Sequence, residues 1–573
     1  MSTEQNTKRR RQKEPTAKEV LGKFDKAFDF KQQIDLFDTV RVNEDFFIGR
    51  QWEGVEANGL PTPTFNVLKQ VVNFQVSTIT SDSMVLQASP LSSVSNIPTK
   101  ELERYINVLN RQYAAIVERN RIVAKMREFL RNAAVDGDAC MYFYFDPSVE
   151  NGQMVKGEIM AEIIQNTRVH FGNPNCRDVQ KQPWILVSRR QLVDDVRWLA
   201  ENYKESGDCD IQDPDSIGPD EEKFNNKLDS YTDDKVTTLS YFYRNRDTKT
   251  IWCMEVTAAG TLRKPYDTGY KLYPFVWMSW DFVQDCYHGQ AMITGLLPNQ
   301  KFINKMFALV GISLLTTAFP KVIYDKTRIR RWDGSVGSAV GVSGNVDSVA
   351  KVLDGAAINP QITQYIELCM DKTKTLLGAS DVAMGDSRPD NAAAIISLQR
   401  AANTPMEMTK QAMFQCLEEM GLIWMDIMAT KYGTRQVEAE MEMDEIGNQP
   451  LNMNLQAQEF SRPFDFSVFK DLPVAIKLDA GASSYWSEIA SMQTIDNLLL
   501  NNKITLLQYL ERVPSGYIVD KQKLIDDLKA QAMPTPSTGP IGSASANIDP
   551  DDIPVSGGPG NGQLQRALTR AGV

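Results

Sequence analysis

Only two histidines, His170 and His288, occur in 573 residues. That scarcity argues against a His-based metal centre and against a Ser-His-Asp or Cys-His hydrolase, and both residues are expected to pack or to lie at the surface. The seven cysteines (Cys140, Cys176, Cys209, Cys253, Cys286, Cys369 and Cys416) are odd in number and form no CxxC pair. They read as reduced structural thiols in a cytoplasm. No G-x-x-x-x-G-K-[ST] or GxGxxG motif is present, and the glycine-rich run from Gly334 to Gly344 has no following Lys to meet a phosphate. The longest apolar stretch, Met306 to Phe319, contains Ser313, Thr316 and Thr317 and stops at Pro320. A bilayer span needs roughly 20 apolar residues. The basic run from Lys8 to Lys13 has no apolar segment behind it and does not read as a secretory signal.

Catalytic carboxylates are not marked by spacing either. Asp208, Asp210, Asp213 and Asp215 lack the glycine and distal glutamate of an EF-hand loop. No enzyme, metal or cofactor is expected from these residues.

What is present is material for several domains of ordinary composition, 42% hydrophobic and 24% charged. The net charge of −11 is unevenly spread. Between Glu201 and Lys235 twelve Asp or Glu face four Lys, a local balance of −8, which leaves −3 for the rest. This Asp-, Pro- and Gly-rich segment reads as a solvated loop.

Hydrophobic spacing divides the chain. Residues 1–15 read as a disordered basic tail, and Thr16 is placed to cap a helix through Val20, Leu21, Phe24 and Phe28. The helical pattern continues irregularly to Phe46 and Phe47, where Gly49 ends it. A second helix is predicted through Leu68, Val71 and Val72, and a third from Thr99 to about Ala134, with Val123 on its apolar stripe. Strands are predicted at Met141 to Phe145, Glu158 to Ile164, Trp184 to Val187, Val236 to Tyr243, Thr250 to Val256 and Tyr273 to Met278, with a helix near Gln191 to Asn202. A long helix over 291–319 has apolar residues spread widely round its circumference, so it lies deep in a core or between neighbours on both sides. Short strands at Lys321 to Tyr324 and Val349 to Leu353 precede a helix that Asn359 and Pro360 begin and Gly378 closes. Its proposed apolar face holds Ile362, Tyr365, Ile366, Cys369, Met370, Leu376 and Leu377. A helix to about Lys431 should be kinked by Pro405. Further strands (Val437 to Met443, Phe464 to Phe469, Val474 to Leu478), three helices between Tyr485 and Ala530 and a Pro-, Gly- and Ser-rich tail complete the pattern. The fold class is mixed α/β (α+β).

Four stretches resemble the portal proteins of tailed bacteriophages. Asn43-Glu-Asp-Phe-Phe-Ile-Gly49-Arg-Gln-Trp52, with Pro63 and Asn66-Val-Leu-Lys69, is similar to an aromatic-Gly-x-Gln-Trp, Pro, Asn-x-x-Lys opening. A long helix ends at Asp136-Gly137 before an aromatic strand. Tyr273-Pro-Phe-Val276, Gly289, Leu297-Pro-Asn-Gln300 and Asn304 resemble the strand, glycine and Gln-x-x-x-Asn that start the portal stem helix. Gly378-Ala-Ser, Gly385 and Asn391-Ala-Ala-Ala-Ile395 look like the loop and helix start after the second stem helix, though without the Ser-Gly common there. Each motif alone is weak; their order and spacing over residues 43–431 carry the resemblance.

The resemblance implies a closed ring, usually a homododecamer, at one capsid vertex of a virion assembled in a bacterial cytoplasm. Its parts would be a wing (16–290, with helices over 16–134, strands over 139–280 and the acidic loop 201–235), a first stem helix (291–319), a clip (320–358) and a second stem helix (359–378). A tunnel loop (379–390), a kinked helix with wing strands (391–483), a helical crown (484–530) and a C-terminal tail (531–573) would follow. It further implies genome packaging, retention and ejection as a late protein. The implied partners are a terminase, a head-tail adaptor, the major capsid or scaffolding protein, and double-stranded DNA passing without sequence preference; no membrane is implied. Phe302, Met306, Leu309, Val310 and Leu314 are the expected inter-subunit packing residues. A conduit should not hold DNA tightly, which favours an acidic or mixed lumen. Glu367 and Asp371 are candidates for it, or else lie on a solvated face outside the channel. Ser380, Asp381, Met384, Asp386 and Arg388 are the tunnel-loop candidates. Lys326, Arg328, Arg330, Arg331 and Trp332 form either a docking surface on the clip or an ordinary solvated turn. The competing readings are a cytoplasmic multidomain scaffold that never closes a ring, and a nucleic-acid enzyme, which the absent phosphate loop disfavours.

Overall fold

The computed structural model describes residues 13–56, 61–80, 85–90, 98–221, 234–318, 321–329, 331, 345, 349–353, 360–376, 406–438, 461–472, 474–479 and positions 495, 499, 503, 506, 509 and 510. The chain divides into two units, Met1–Glu488 and Ile489–Val573. The expected crown helices, apart from those isolated positions, lie outside the described residues, as do the tunnel loop and the kink at Pro405.

The first unit opens with α1 (Ala17–Gln33), and Thr16 caps it as expected, its side chain accepting from Glu19 while Glu19 reaches back to the Thr16 amide. Asp35, at φ 53°, separates it from α2 (Leu36–Ile48), which ends on Gly49 at φ 98°. After α3 (Val67–Ile79) and strand β1 (Val85–Pro90), the single helix expected from Thr99 to Ala134 is instead two, α4 (Thr99–Arg119) and α5 (Ile122–Asp136). Arg121 sits at φ 50° between them, and its left-handed turn resets the helical phase. The reset is why Val123, placed on the apolar stripe by spacing, is exposed, while Ile122 and Met126 are buried.

Two antiparallel sheets follow. β2 (Asp138–Asp146) lies between β3 (Glu158–Ile164) and β9 (Phe275–Ser279). β4 (Val169–Phe171), β5 (Trp184–Leu192), β6 (Lys235–Arg244), β7 (Ile251–Thr257) and β8 (Gly260–Asp267) pair in sequence order. β1, β4 and β8 escaped the sequence reading: β4 spans only three residues, and Arg263, Lys264 and Pro265 interrupt the apolar pattern of β8. α6 (Val193–Glu205) closes one end of the second sheet. The acidic segment is less loop-like than expected over its described part, because Ile211 and Ile217 are buried there against Leu262 and Val236.

α7 (Leu297–Ala318), the hairpin β10 (Lys321–Tyr324) and β11 (Ala350–Leu353), and α8 (Pro360–Leu376) come next. The long helix expected over 291–319 therefore starts later: residues 291–296 form turns and a 3-10 segment, held by the Asn43 side chain bonding to Thr294 Oγ1 at 2.9 Å. α9 (Glu407–Lys431) is the central core helix. Its Trp424 is fully buried against Tyr113 and Phe143, and the Tyr113 hydroxyl donates to the Gly421 carbonyl at 2.9 Å. Strands β12 (Thr434–Glu438), β13 (Ser461–Asp465) and β14 (Val474–Asp479) complete the unit, with β12 pairing β13 and β14 pairing β1; the strand expected over Phe464 to Phe469 stops at Asp465, which caps a 3-10 segment, Phe466–Asp471.

The core holds several buried charges, each tied to polar partners. The Lys31 ammonium donates to the carbonyls of Asn166 (2.7 Å), Thr167 (3.1 Å) and Val169 (2.5 Å), and burial pushes its pKa well down. Glu158 accepts from the Tyr432 hydroxyl at 2.9 Å and from Arg435 at 3.2 Å, stitching β3 to the end of α9. Asp136 is the exception: its Oδ1 is buried without a hydrogen-bond partner among the described residues. Burial, with Glu44 nearby, lifts its pKa to about 8. The folded protein thus binds a proton there that the unfolded chain has released, so stability falls as pH rises from about 4 to about 8. Asp136→Asn should melt higher than wild type at pH 8 and above, by about 2–4 °C, with the gap closing toward pH 4. A gap that stays constant across that range in thermal unfolding would show that Asp136 does not titrate there.

Candidate functional site

The elements expected to carry function meet at the start of α7. Gln300, with a fully buried side chain, donates to the Phe65 carbonyl (2.7 Å) and to Asn304 Oδ1 (2.9 Å), and accepts from the Val67 amide (3.2 Å). Asn304 in turn donates to Gln51 Oε1 at 2.6 Å, and Gln51 donates to the Phe46 carbonyl at 3.0 Å. Asn66 bonds the carbonyls of Phe46 and Phe47 and caps α3 through the Lys69 amide. Trp52 Nε1 donates to the Pro63 carbonyl at 3.0 Å. The Gly-x-Gln-Trp and Asn-x-x-Lys motifs, together with the Gln-x-x-x-Asn motif more than 230 residues further along the sequence, are one buried hydrogen-bonded root for α7. Phe65 stacks near Phe307 at 4.1 Å between ring centroids, and Gly311 lets Pro61 approach so closely that a Cβ would stand 2.9 Å from its ring.

A second knot fixes the chain just before α7. Asp138 accepts from the Gly289 amide (2.8 Å) and the Ser279 hydroxyl (2.7 Å) with one oxygen, and meets His288 Nδ1 at 2.7 Å with the other. The carboxylate can only accept, so Nδ1 carries the proton of a neutral imidazole, and burial lowers the pKa of His288. Gly289 is required here, since a Cβ would lie 2.5 Å from the Asp281 carbonyl oxygen.

Beyond its root, α7 turns apolar side chains outward. Phe302 is 38% exposed, Leu309 50%, Leu314 57% and Leu315 49%, while Met306 and Val310 are half-buried. α8 packs beside it through the edge-to-face ring pair Phe302–Tyr365 at 5.9 Å. The expected apolar face of α8 is split. Ile366 is buried and Ile362, Cys369 and Met370 are partly so, but Tyr365 and Leu376 are exposed together with Leu368, which the spacing had not singled out. Residues 365, 368 and 376 form an i, i+3, i+11 stripe that continues the apolar surface of α7. Glu367 and Asp371, one turn apart, are both exposed on an adjoining stripe. Leu377 lies outside the described residues.

Of the cationic cluster, Lys326 and Arg328 sit in the turn after β10, where Asp325 pairs with Arg328 at 3.6 Å, and Arg331 is exposed. Arg330 and Trp332 are outside the described residues, as are Ser380, Asp381, Met384, Asp386 and Arg388. Among the described residues no helix is long and apolar enough to cross a membrane.

The root is a closed network of uncharged amides, so breaking it strands buried partners. Asn304→Ala and Gln51→Ala should each lower subunit stability by about 1–3 kcal/mol. The double variant should lose less than the sum. Strict additivity in denaturant melts would mean the two amides are not coupled.

No curated protein matches the sequence. The family model described as Phage P22-like portal protein matches residues 177–459. That span contains α7 and α8 but not Gln51, Asn66 or Asp138, whose side chains secure α7 from outside it. The matched segment and the motifs that brace it coincide on one helix pair, and the match over residues 177–459 supports a tailed-phage portal protein.

Proposed function

We propose that the chain is the subunit of a closed ring at one capsid vertex, through which double-stranded DNA is packaged, retained and ejected. α7 and α8 act as the stem, the hairpin β10–β11 belongs to the clip, and the two sheets with α1 to α6 form the wing. The observation that carries the reading is the apolar belt of Phe302, Leu309, Leu314 and Leu315 with Tyr365, Leu368 and Leu376, exposed in the single chain. Surfaces of this kind mark sites of association, and a closed ring buries each one against a different surface of the next copy. The rigid root of α7 holds the belt at a constant angle to the wing, which a ring of identical copies requires.

In this reading a terminase docks on the clip during packaging and a head-tail adaptor takes its place afterwards, with Lys326, Arg328 and Arg331 among the docking residues. The wing meets the capsid or scaffolding protein. The subunit itself cleaves nothing, so ATP hydrolysis and DNA cleavage assays should read blank. Glu367 and Asp371 face the channel and repel the phosphates, keeping the conduit from gripping its cargo.

Electron microscopy and native mass spectrometry of the purified protein test the ring directly. Leu309→Glu with Leu314→Glu should abolish rings while leaving the subunit's melting curve unchanged, because both positions are exposed. A wild-type protein that stays monomeric or dimeric under all assembly conditions would favour a scaffold that never closes. Reversing Glu367 and Asp371 to Lys should tighten DNA binding by assembled rings and steepen its salt dependence; unchanged affinity at low salt would place these residues outside the channel.

A further inference from the structure

The five-stranded sheet carries opposite charge at its two ends. Trp184 of β5 pairs with Tyr243 of β6 at one end, and Leu192 pairs with Lys235 at the other. At the Trp184 end lies a groove of roughly 660 Å³ whose lining includes five cations, Lys23, Lys181, Arg244, Arg246 and Lys249, and no carboxylate. Its walls are aromatic. Lys23 Nζ donates to the Tyr241 hydroxyl at 2.6 Å and stands 4.6 Å from that ring's centre, so part of the positive charge is recessed rather than spread on a flat surface. Lys181 has one local partner, Asp178 at 2.9 Å, in a largely exposed pair that offers little resistance to exchange.

At the Leu192 end the charge is negative and the backbone is held. Asp194 lies in the first turn of α6 with a 95% exposed side chain, 3.9 Å from Arg197. After α6, Ile211 and Ile217 are buried, and Arg197 Nε donates to the Ile217 carbonyl at 3.0 Å. This pins a shelf from which Asp208, Asp213, Asp215 and Glu221 are exposed. Asp210 and Asp220 are occupied within the chain, by Lys264 and Arg190. The two ends are separated by the length of β5, about 26 Å at 3.3 Å per residue. One subunit therefore cannot satisfy its own groove with its own shelf.

We infer that the acidic shelf of one copy seats in the cationic groove of the next, so that the sheet acts as a charge-polarised link between neighbours. The inference rests on the ring reading, and it adds a contact separate from the apolar belt. Opposite charges at opposite ends of one rigid element are what head-to-tail pairing of identical copies needs. DNA is the less suitable occupant. A groove of this volume accepts a few side chains, whereas a duplex could only lie across its mouth and touch it through phosphates.

The test uses rings assembled from mixed ¹⁴N- and ¹⁵N-labelled full-length chains, treated with a zero-length carbodiimide cross-linker and read by mass spectrometry. Heavy–light links joining Lys181 or Lys249 to Asp213, Asp215 or Glu221 are expected. In parallel, Lys181→Glu with Lys249→Glu should raise the protein concentration needed for rings by about tenfold at low salt. Adding Asp215→Lys and Glu221→Lys should restore it. Rings that form without those links, and at the wild-type concentration in the reversed variant, overturn this contact and leave the ring reading standing. The same holds if the reversed variant assembles normally but loses DNA binding, which would make DNA the occupant. A wild-type chain that never forms rings removes the ring reading first, and this inference with it.

Discussion

Asn304, Gln300 and Gln51 share buried hydrogen bonds that no water replaces cheaply, and the placement of α7 depends on them. Amide side chains suit this task because each carries both donors and an acceptor, so a closed chain of them can satisfy itself without net charge. A salt bridge in the same place would cost far more to desolvate. The root uses nearly all the bonding capacity available at one spot, with Gln300 spending both amide hydrogens on Phe65 and Asn304. A helix held in this way can present apolar side chains outward without turning to bury them in its own subunit.

Much of the fold was legible because local chemistry and tertiary packing agree. The Thr16 cap, the helix end at Gly49 and the strands at Glu158 to Ile164 and Val236 to Tyr243 all appear where the residue types place them. Two of the misses lie in backbone conformation. Arg121 adopts a left-handed conformation that nothing in its residue type announces, and the resulting reset of phase moved Val123 out of the core. The 3-10 turn before α7 is likewise imposed from a distance, by Asn43.

The candidate site was legible to a different degree. Gln300, Asn304, Gln51 and Asn66 were visible as motif residues, but spacing carries no information about their mutual hydrogen bonds. Apolar character all round α7 was plain from its sequence, yet which residues face inward depended on where α3 and α8 lie. The cationic groove was invisible, since its members come from α1, the chain before β5 and the β6–β7 turn, and none of these is conspicuously basic alone. The net charge of −11 conceals this separation of positive and negative ends.

The ladder of β10 and β11 has a mechanical corollary. Its register joins Lys321 to Leu353, so the strand that begins three residues after α7 is bonded to one that ends seven residues before α8. A one-residue slip of that four-residue ladder would turn every side chain of one strand to the opposite face. The excursion between the two helices is therefore pinched shut near α7, and whatever lies between Tyr324 and Ala350 leaves and returns through one fixed doorway.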